Sequence, residues 1–576
     1  MAFIDWGIVV VYSIGMLWLG YYFSKRSSKS MESYFTADRS LSWWVLAFSA
    51  VATYSCAGAA PAFTMLVYNS GLLGNWWWWL PWVIWMPIVA VFWSKFWRRL
   101  NVVTTAELIE VRYSGKTASV FRGIYGVFMS FGWAIVLMGY VTGWLGKAVC
   151  PIIGCTELQL IIFSGIIVLI YTTVGGLLGV AYTDVVQFGI FMVGNIVLIP
   201  IILHSAGGFN AVYDKVLALR GPGFFQAMPP GGDLVGMTLV ALVIQGLFFA
   251  ASPSGGEGFT AQRFMAAKNE FHAQLGQIFN AVLSLVVRVV PFLFLGIIGA
   301  ALYAPGTVDP ALIWGLLVSK YSFVGLTGLI VVAELSAYMS TISTEMNWGA
   351  SYMINDMYRR FIKKDATERH YVMASKICTV IMLILSLLVA HYLVKGMMAW
   401  FLFINSVMVA FILPLAWMRF FWWRLNIYGE ASAIIAGIPL GYLIWFPWGF
   451  SEKPFWQGFL LLFVAGWLVI LIVTLLTKPE KKETLINFYK RCQPPGLWGP
   501  ITKEFSLEER TRIKKETSND LIDCFLGILL CGGATVIMTS LFGKHWVLLG
   551  VSTLVSAVAI ILFINRWRKK GVFKGL

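Results

Sequence analysis

Residues 331–349 read VVAELSAYMSTISTEMNWG, in which Ala337, Ser340, Thr341 and Thr344 recur at i, i+3, i+4 and i+7 with Ser343 beside them. On a helix that spacing gathers the hydroxyls on one side. A hard cation such as sodium seeks several neutral or anionic oxygens, and hydroxyls with freed backbone carbonyls supply them while burying little charge. The same spacing also suits hydroxyls that bond back to their own helix or glue it to a neighbour. A second candidate is Asp184 in GGLLGVAYTDVVQFG, residues 175–189. Read locally, Thr183 or Asp184 caps the start of a helix; as a carboxylate at membrane depth, Asp184 is a cation ligand or proton carrier. The third is Arg288 in LVVRVVPFLF, a guanidinium in the middle of an apolar run. Such a group requires an anion or an acceptor, either a bound solute or a carboxylate of the chain, Glu257 or Glu334.

The elements that must position these groups are membrane helices. Of the 576 residues 59% are hydrophobic, 16% aromatic and only 12% charged, the composition of an integral membrane protein. At ~20 apolar residues per crossing, the runs divide into about fifteen segments. The first begins MAFIDWG, without the basic start and cleavage site of a secretory signal, and is expected to be retained. The second and seventh are interrupted by small residues and proline, SCAGAAP at 55–61 and SPSGGEG at 252–258. Five crossings separate them, so they run in opposite senses, the signature of an inverted repeat whose two halves each begin with a discontinuous helix. Opened backbone at membrane depth must face protein or a watery cavity, so the breaks predict an ion or solute site near the midplane. Close helix packing through small residues is the other reading of these stretches.

The net charge of +16 does not point to nucleic acid, because the basic residues follow membrane topology. Most of the 43 Lys and Arg fall in alternate gaps; the opposite side holds Lys147, Lys215, Arg220, Lys320, Lys395, Lys453 and Lys544. By the positive-inside rule the N-terminus lies outside the cell membrane and the C-terminus in the cytoplasm. Seven cysteines and five histidines form no ligand cluster, so sodium is the only metal expected; Cys150 and Cys155 flank an outer turn as free thiols or a disulfide. No GxxxxGK[ST] loop and no paired acid and base appear, which argues against an ATP-driven pump and an enzyme. NWWWWLPWVIW, residues 75–85, reads as an outer interfacial aromatic belt, with solute stacking as its other use. The charged stretch 479–520 is expected to lie as a connector on the cytoplasmic surface, with a regulatory or docking patch at FYKRCQPPGLWGP as its other reading.

GGLLGVAYTDVVQ closely resembles the signature of the sodium:solute symporter family, which includes sodium/glucose, sodium/proline and sodium/sialic acid carriers. TTAELIEVRY, the pair Gln262–Arg263, MSTIST followed by INDMYRR, and WRLNIYGEA agree in order, over roughly residues 1–478. The resemblance implies an all-α polytopic fold of the leucine-transporter type, five plus five helices in inverted repeat with extra flanking helices. The corresponding division is 1–42, first helix and cytoplasmic linker; 43–425, transport core; 426–478, additional helices; 479–520, cytoplasmic loop; and 521–576, C-terminal hairpin and basic tail.

The resemblance also implies sites. The family's common sodium site corresponds to the carbonyls of Ala52, Ser55 and Ala337 and the hydroxyls of Ser340 and Thr341. The second sodium of the sialic acid branch corresponds to Asp184, Ser343 and Thr344, with Ser340 shared. Substrate candidates are Ala59, Trp78, Ser252, Ser254, Glu257, Arg288, Asn405 and Ser406. The polar set of the sugar carriers is missing, since Ala59, Trp78, Ala250 and Pro253 stand at its positions. Arg288 occupies the place of a lysine that faces the sugar in those carriers. What is implied is a sodium-coupled symporter importing a small polar organic solute, a sugar, a polyol or a carboxylate-bearing compound, with Na+ as coupling ion and no other cofactor. A proton-coupled carrier using Asp184, and a nutrient sensor built on a transporter fold, stand as the alternatives.

Overall fold

The computed structural model describes residues 1–229, 234–393 and 412–571, and among them every regular element is helical. Two isolated backbone bridges, Leu41 to Ala267 and Trp422 to Leu497, are the only strand-like pairings there.

Helix α1 is Phe3–Ser27, and the second apolar segment is a bent pair, α2 (Trp43–Tyr54) and α3 (Ala59–Ser70). Then come α4 (Trp79–Leu100), α5 (Gly115–Ile153) and α6 (Glu157–Ser205). At 1.5 Å per residue the 49 residues of α6 would reach ~74 Å, more than twice a ~30 Å hydrocarbon core. The helix therefore holds two crossings, and they part at Gly176, whose φ of 54° and ψ of −164° leave the helical region. The seventh segment ends as α7 (Thr238–Ala251), and after its break the chain resumes as α8 (Gly258–Ala266). Next are α9 (Glu270–Leu302), α10 (Leu326–Ile362) and α11 (Glu368–Tyr392). Most of the eleventh segment lies outside the described residues; its end is α12 (Leu413–Phe421). The chain closes with α13 (Ile427–Trp445), α14 (Phe455–Leu476), α15 (Leu507–Gly543) and α16 (Trp546–Lys569).

α6 packs along both α1 and α10, while α3 packs on α9 and α2 on both α6 and α9. α10 is buried on all faces over most of its length, which is why its small and hydroxylated residues show no lipid-facing stripe. Asp5 ties α1 to its start: one carboxylate oxygen accepts from the backbone N–H of Gly325 at 2.7 Å and Gly328 at 2.9 Å, the other from Ala2 at 2.8 Å. Those are N–H groups that the opening turn of a helix leaves without intrahelical partners.

One sequence expectation changes here, and two others take a definite form. Trp76, Trp79 and Trp85 are buried, so these three rings of the tryptophan run serve as inner packing and not as an outer belt. Composition alone does not distinguish the two, because both demand large apolar rings. The charged stretch after α14 is a folded connector docked on the helices: Lys482–Cys492 forms a helix, Trp498 donates from Nε1 to the Phe420 carbonyl at 2.8 Å, and Arg112 stacks 5.0 Å from the Trp498 ring. Finally, the Cys150 and Cys155 sulfurs face each other at 3.2 Å as free thiols.

Candidate ion and solute site

The first break is capped by Ser55. Its N–H donates to the Val51 and Ala52 carbonyls, both at 3.0 Å, and its hydroxyl to Val51 at 2.7 Å. α2 and α3 then bend 65° apart. Opposite the break stands α10. Ser340 Oγ lies 3.0 Å from both the Ala52 and Ala337 carbonyl oxygens, and Thr341 Oγ1 lies 3.0 Å from Thr53 O and 3.2 Å from Ala337 O. A single hydroxyl proton cannot serve two carbonyls fully, so this is an oxygen-rich cluster short of donors. Ala52, Ala337, Ser340 and Thr341 thus come together, and both expected uses of the hydroxyls, bonding along α10 and across to α2, occur at once. The Ser55 hydroxyl is turned away toward Val51. An uncharged set of hydroxyl and carbonyl oxygens suits a hard monovalent cation.

Asp184 lies eight residues past the kink at Gly176, inside a continuing helix, so it is not an N-cap. Thr183 instead bonds back to the carbonyls of Gly179 and Val180. The Asp184 carboxylate is completely buried; its Oδ2 accepts from Ser49 Oγ at 2.5 Å and Arg263 Nη2 at 3.2 Å. Arg263 Nη2 also reaches Thr53 Oγ1 at 2.7 Å and Thr344 Oγ1 at 3.0 Å, and those two hydroxyls are 3.1 Å apart. Asp184 and Thr344 therefore meet through a guanidinium. Ser343 bonds back to the Ser340 carbonyl at 3.2 Å. Asp184 Oδ1 remains a buried oxygen with no hydrogen-bond partner. In the sequence Arg263 is visible only as half of a Gln–Arg pair, with nothing in the chain order to join it to Asp184.

The second break is held by protein. Ser254 O accepts from the Tyr54 hydroxyl at 2.6 Å and from Thr260 Oγ1 at 2.9 Å, Ser252 O from the N–H groups of Gly255 and Glu257 at 2.9 Å, and Gly256 O from Trp97. A Cβ at Gly256 would collide with both the Ala250 oxygen and the Trp93 ring, so glycine is required there. Glu257 leaves the solute set: Arg419 pairs with it at 2.6 Å and with Glu430 at 2.5 Å, Tyr125 donates to it at 3.2 Å, and the three ionised groups are buried together.

Between the breaks lies a cavity of about 420 Å³, lined among others by Ala59, Ser252, Ser254, Arg288, Thr341 and Glu345. Such a volume falls in the range of small-molecule sites. Arg288 donates to the Tyr54 carbonyl at 2.9 Å and stacks 5.0 Å from the Trp82 ring. Among the described residues no carboxylate lies within ion-pair distance of it, so the expected partners Glu257 and Glu334 are not its partners. Trp78 falls in the helical run Trp76–Ile88. Asn405 and Ser406 lie outside the described residues. Glu345, missed in the sequence reading, is fully buried on the cavity wall with neither carboxylate oxygen hydrogen-bonded. It stands four residues after Thr341, so the periodicity that selected Thr341 also carried it.

A family model described as the sodium:solute symporter family matches residues 34–437. The chain belongs to the sodium:solute symporter family. It is similar to the sodium/sialic acid symporter NanT of Aliivibrio fischeri, 27% identical over 490 residues, covering 81% of this chain and 91% of that one. It is also similar to the sodium/glucose cotransporter of Vibrio parahaemolyticus, 26% identical over 77% of this chain and 86% of that one. The high-affinity proline transporter PutP of Bacillus subtilis is 26% identical over 82% and 98% of the two chains. Among solved structures, a Na+-coupled sialic acid symporter in a substrate-bound outward-open state superposes with a TM-score of 0.69 at 21% identity, covering 83% of this chain and 99% of that one. The fold is thus the leucine-transporter type with its inverted repeat, and this symporter is a membrane transporter, not an enzyme.

Proposed function

We propose that this symporter couples inward sodium movement to uptake of a small polar organic solute bearing a carboxylate or comparable anionic group. Sodium binds the oxygen cluster formed by Ala52, Ala337, Ser340 and Thr341 with the Ser55 carbonyl at the break. A second sodium uses Asp184 with Ser340, Ser343 and Thr344. The orphaned Oδ1 supports that second site, and Arg263 must then share the carboxylate with the ion. The solute occupies the cavity between the breaks, touching Ala59, Ser252, Ser254 and Arg288. One observation carries this reading: Arg288 is a buried, permanently charged group on a cavity wall, with no carboxylate of the described chain to pair with. A neutral sugar or polyol would leave that charge uncompensated. The basic gaps support an N-terminus outside and a C-terminus in the cytoplasm.

Occupancy of the cluster would order the freed carbonyls of α2 and so the wall against which Arg288 rests, since Arg288 donates to a nearby α2 carbonyl, that of Tyr54. Each sodium moving down 100 mV contributes ~2.3 kcal/mol. The test is uptake into proteoliposomes under imposed gradients. Uptake must follow an inward sodium gradient and an inside-negative potential; flux that persists without sodium and follows a proton gradient would replace this reading with the proton-coupled one.

A further inference from the structure

The solute cavity has a second charged wall that the symport reading leaves idle. Arg288 and Glu345 are the only charged side chains among its described lining residues. Glu345 is completely buried, neither of its oxygens has a hydrogen-bond partner, and no Lys, Arg or His of the described chain lies within ion-pair distance of it. Arg263 is bound to Asp184. A carboxylate at membrane depth is retained at considerable cost and calls for a counter-charge. A guanidinium and a carboxyl group, each without an ion-pair partner of its own, therefore face one enclosed space.

The ligand that resolves both carries both complements. A monoanion drawn to Arg288 would share the cavity with an uncompensated carboxylate; a simple cation would leave the guanidinium unpaired; sugar hydroxyls would fill hydrogen bonds without cancelling either charge. Building on the symport reading, we propose that Glu345 receives an ammonium group of the solute, so that the transported compound is a zwitterion whose anionic end faces Arg288. The aromatic walls, Tyr54, Phe63, Trp82, Trp133 and Trp144, accommodate its apolar body. Glu345 also lies about one helical turn beyond Thr341 on α10, ~6 Å along the axis. Its carboxylate then stands near both the solute's ammonium and the proposed sodium, favouring both.

The test uses the purified full chain in detergent with matched probes: phenylalanine against phenylpropanoate, gamma-aminobutyrate against butanoate, and glucose as the neutral control. Thermal stabilisation is titrated with each probe in sodium and in potassium buffer. In sodium, at least one amine-bearing probe is expected to bind about 30-fold or more tighter than its deamino partner, the scale for losing one member of a buried charge pair. E345Q should compress that ratio to near unity, and E345D, which keeps the charge, should retain the amine preference. Binding of glucose or of a deamino acid as tight as that of the amine-bearing probes overturns the proposal, as does an undiminished ratio in an E345Q protein that elutes as the parent does. If no probe's effect depends on sodium, the symport reading fails instead, whatever the amine preference.

Discussion

Consider replacing Ser340 by alanine, and separately Thr341 by valine. Without the ion, the Ser340 hydroxyl bridges the Ala52 and Ala337 carbonyls at 3.0 Å each. Ala52 O keeps another partner, the Ser55 N–H at 3.0 Å, so the loss is one ordinary hydrogen bond, about 0.5–1.5 kcal/mol. With the ion bound, the same hydroxyl is an oxygen held against a full charge, worth about 1.5–3 kcal/mol. The difference, about 1–1.5 kcal/mol, raises the sodium half-saturation concentration about 5- to 13-fold for each substitution. Uptake into proteoliposomes, measured against sodium at saturating solute, reads it directly. Linkage supplies a second readout: the factor by which sodium tightens solute binding must equal the factor by which solute tightens sodium binding, and both should shrink together in the variants. If half-saturation stays within twofold of the parent in both variants while stability falls, the hydroxyls are packing glue and the ion sits elsewhere.

Asp184→Asn should lower the Hill coefficient of sodium activation from near two to near one; an unchanged coefficient would remove the second sodium. Arg419→Ala leaves Glu257 and Glu430 buried together without their shared cation, and should cost about 3–5 kcal/mol of stability by the usual scale for breaking a buried pair, visible as a fall in melting temperature. Gly256→Ala drives a Cβ into Trp93 and the Ala250 oxygen and should abolish the monodisperse peak in size-exclusion chromatography. Gly189→Ala is its control: nothing lies within 4 Å of a Cβ added there, and the elution profile should match the parent's.

Local spacing guides best where one helix carries the signal, though Glu345 and the mistaken cap at Asp184 show that it also fails there. Ser340 and Thr341 are readable from their period on α10, and SCAGAAP and SPSGGEG from their mismatch with uninterrupted crossings. What one helix offers another is not written in its own period. Arg263 reaches Asp184 across 79 residues of chain and Arg419 reaches Glu257 across 162, so the ion pairs that define the two clusters could not be read from neighbours. Glu257 illustrates the reverse error: a carboxylate in a glycine-rich break looks available for a solute until its tertiary partners are seen. Trp76, Trp79 and Trp85 mislead for a third reason, since lipid interface and protein interior select the same rings.

The two breaks are related by the repeat but not by their chemistry. At 252–257 the exposed carbonyls are taken by Trp97, Tyr54, Thr260 and the local backbone, all fixed parts of the protein. At 52–55 the Ala52 and Thr53 carbonyls are taken by the Ser340 and Thr341 hydroxyls and that of Tyr54 by Arg288; in the proposed sodium site those two hydroxyls would turn from the carbonyls to the ion. With sodium bound as proposed, one of this molecule's two joints is welded and the other is adjustable by salt. Hydrogen exchange should register that asymmetry, slowing with sodium around residues 55–58 and staying indifferent to it around 255–258.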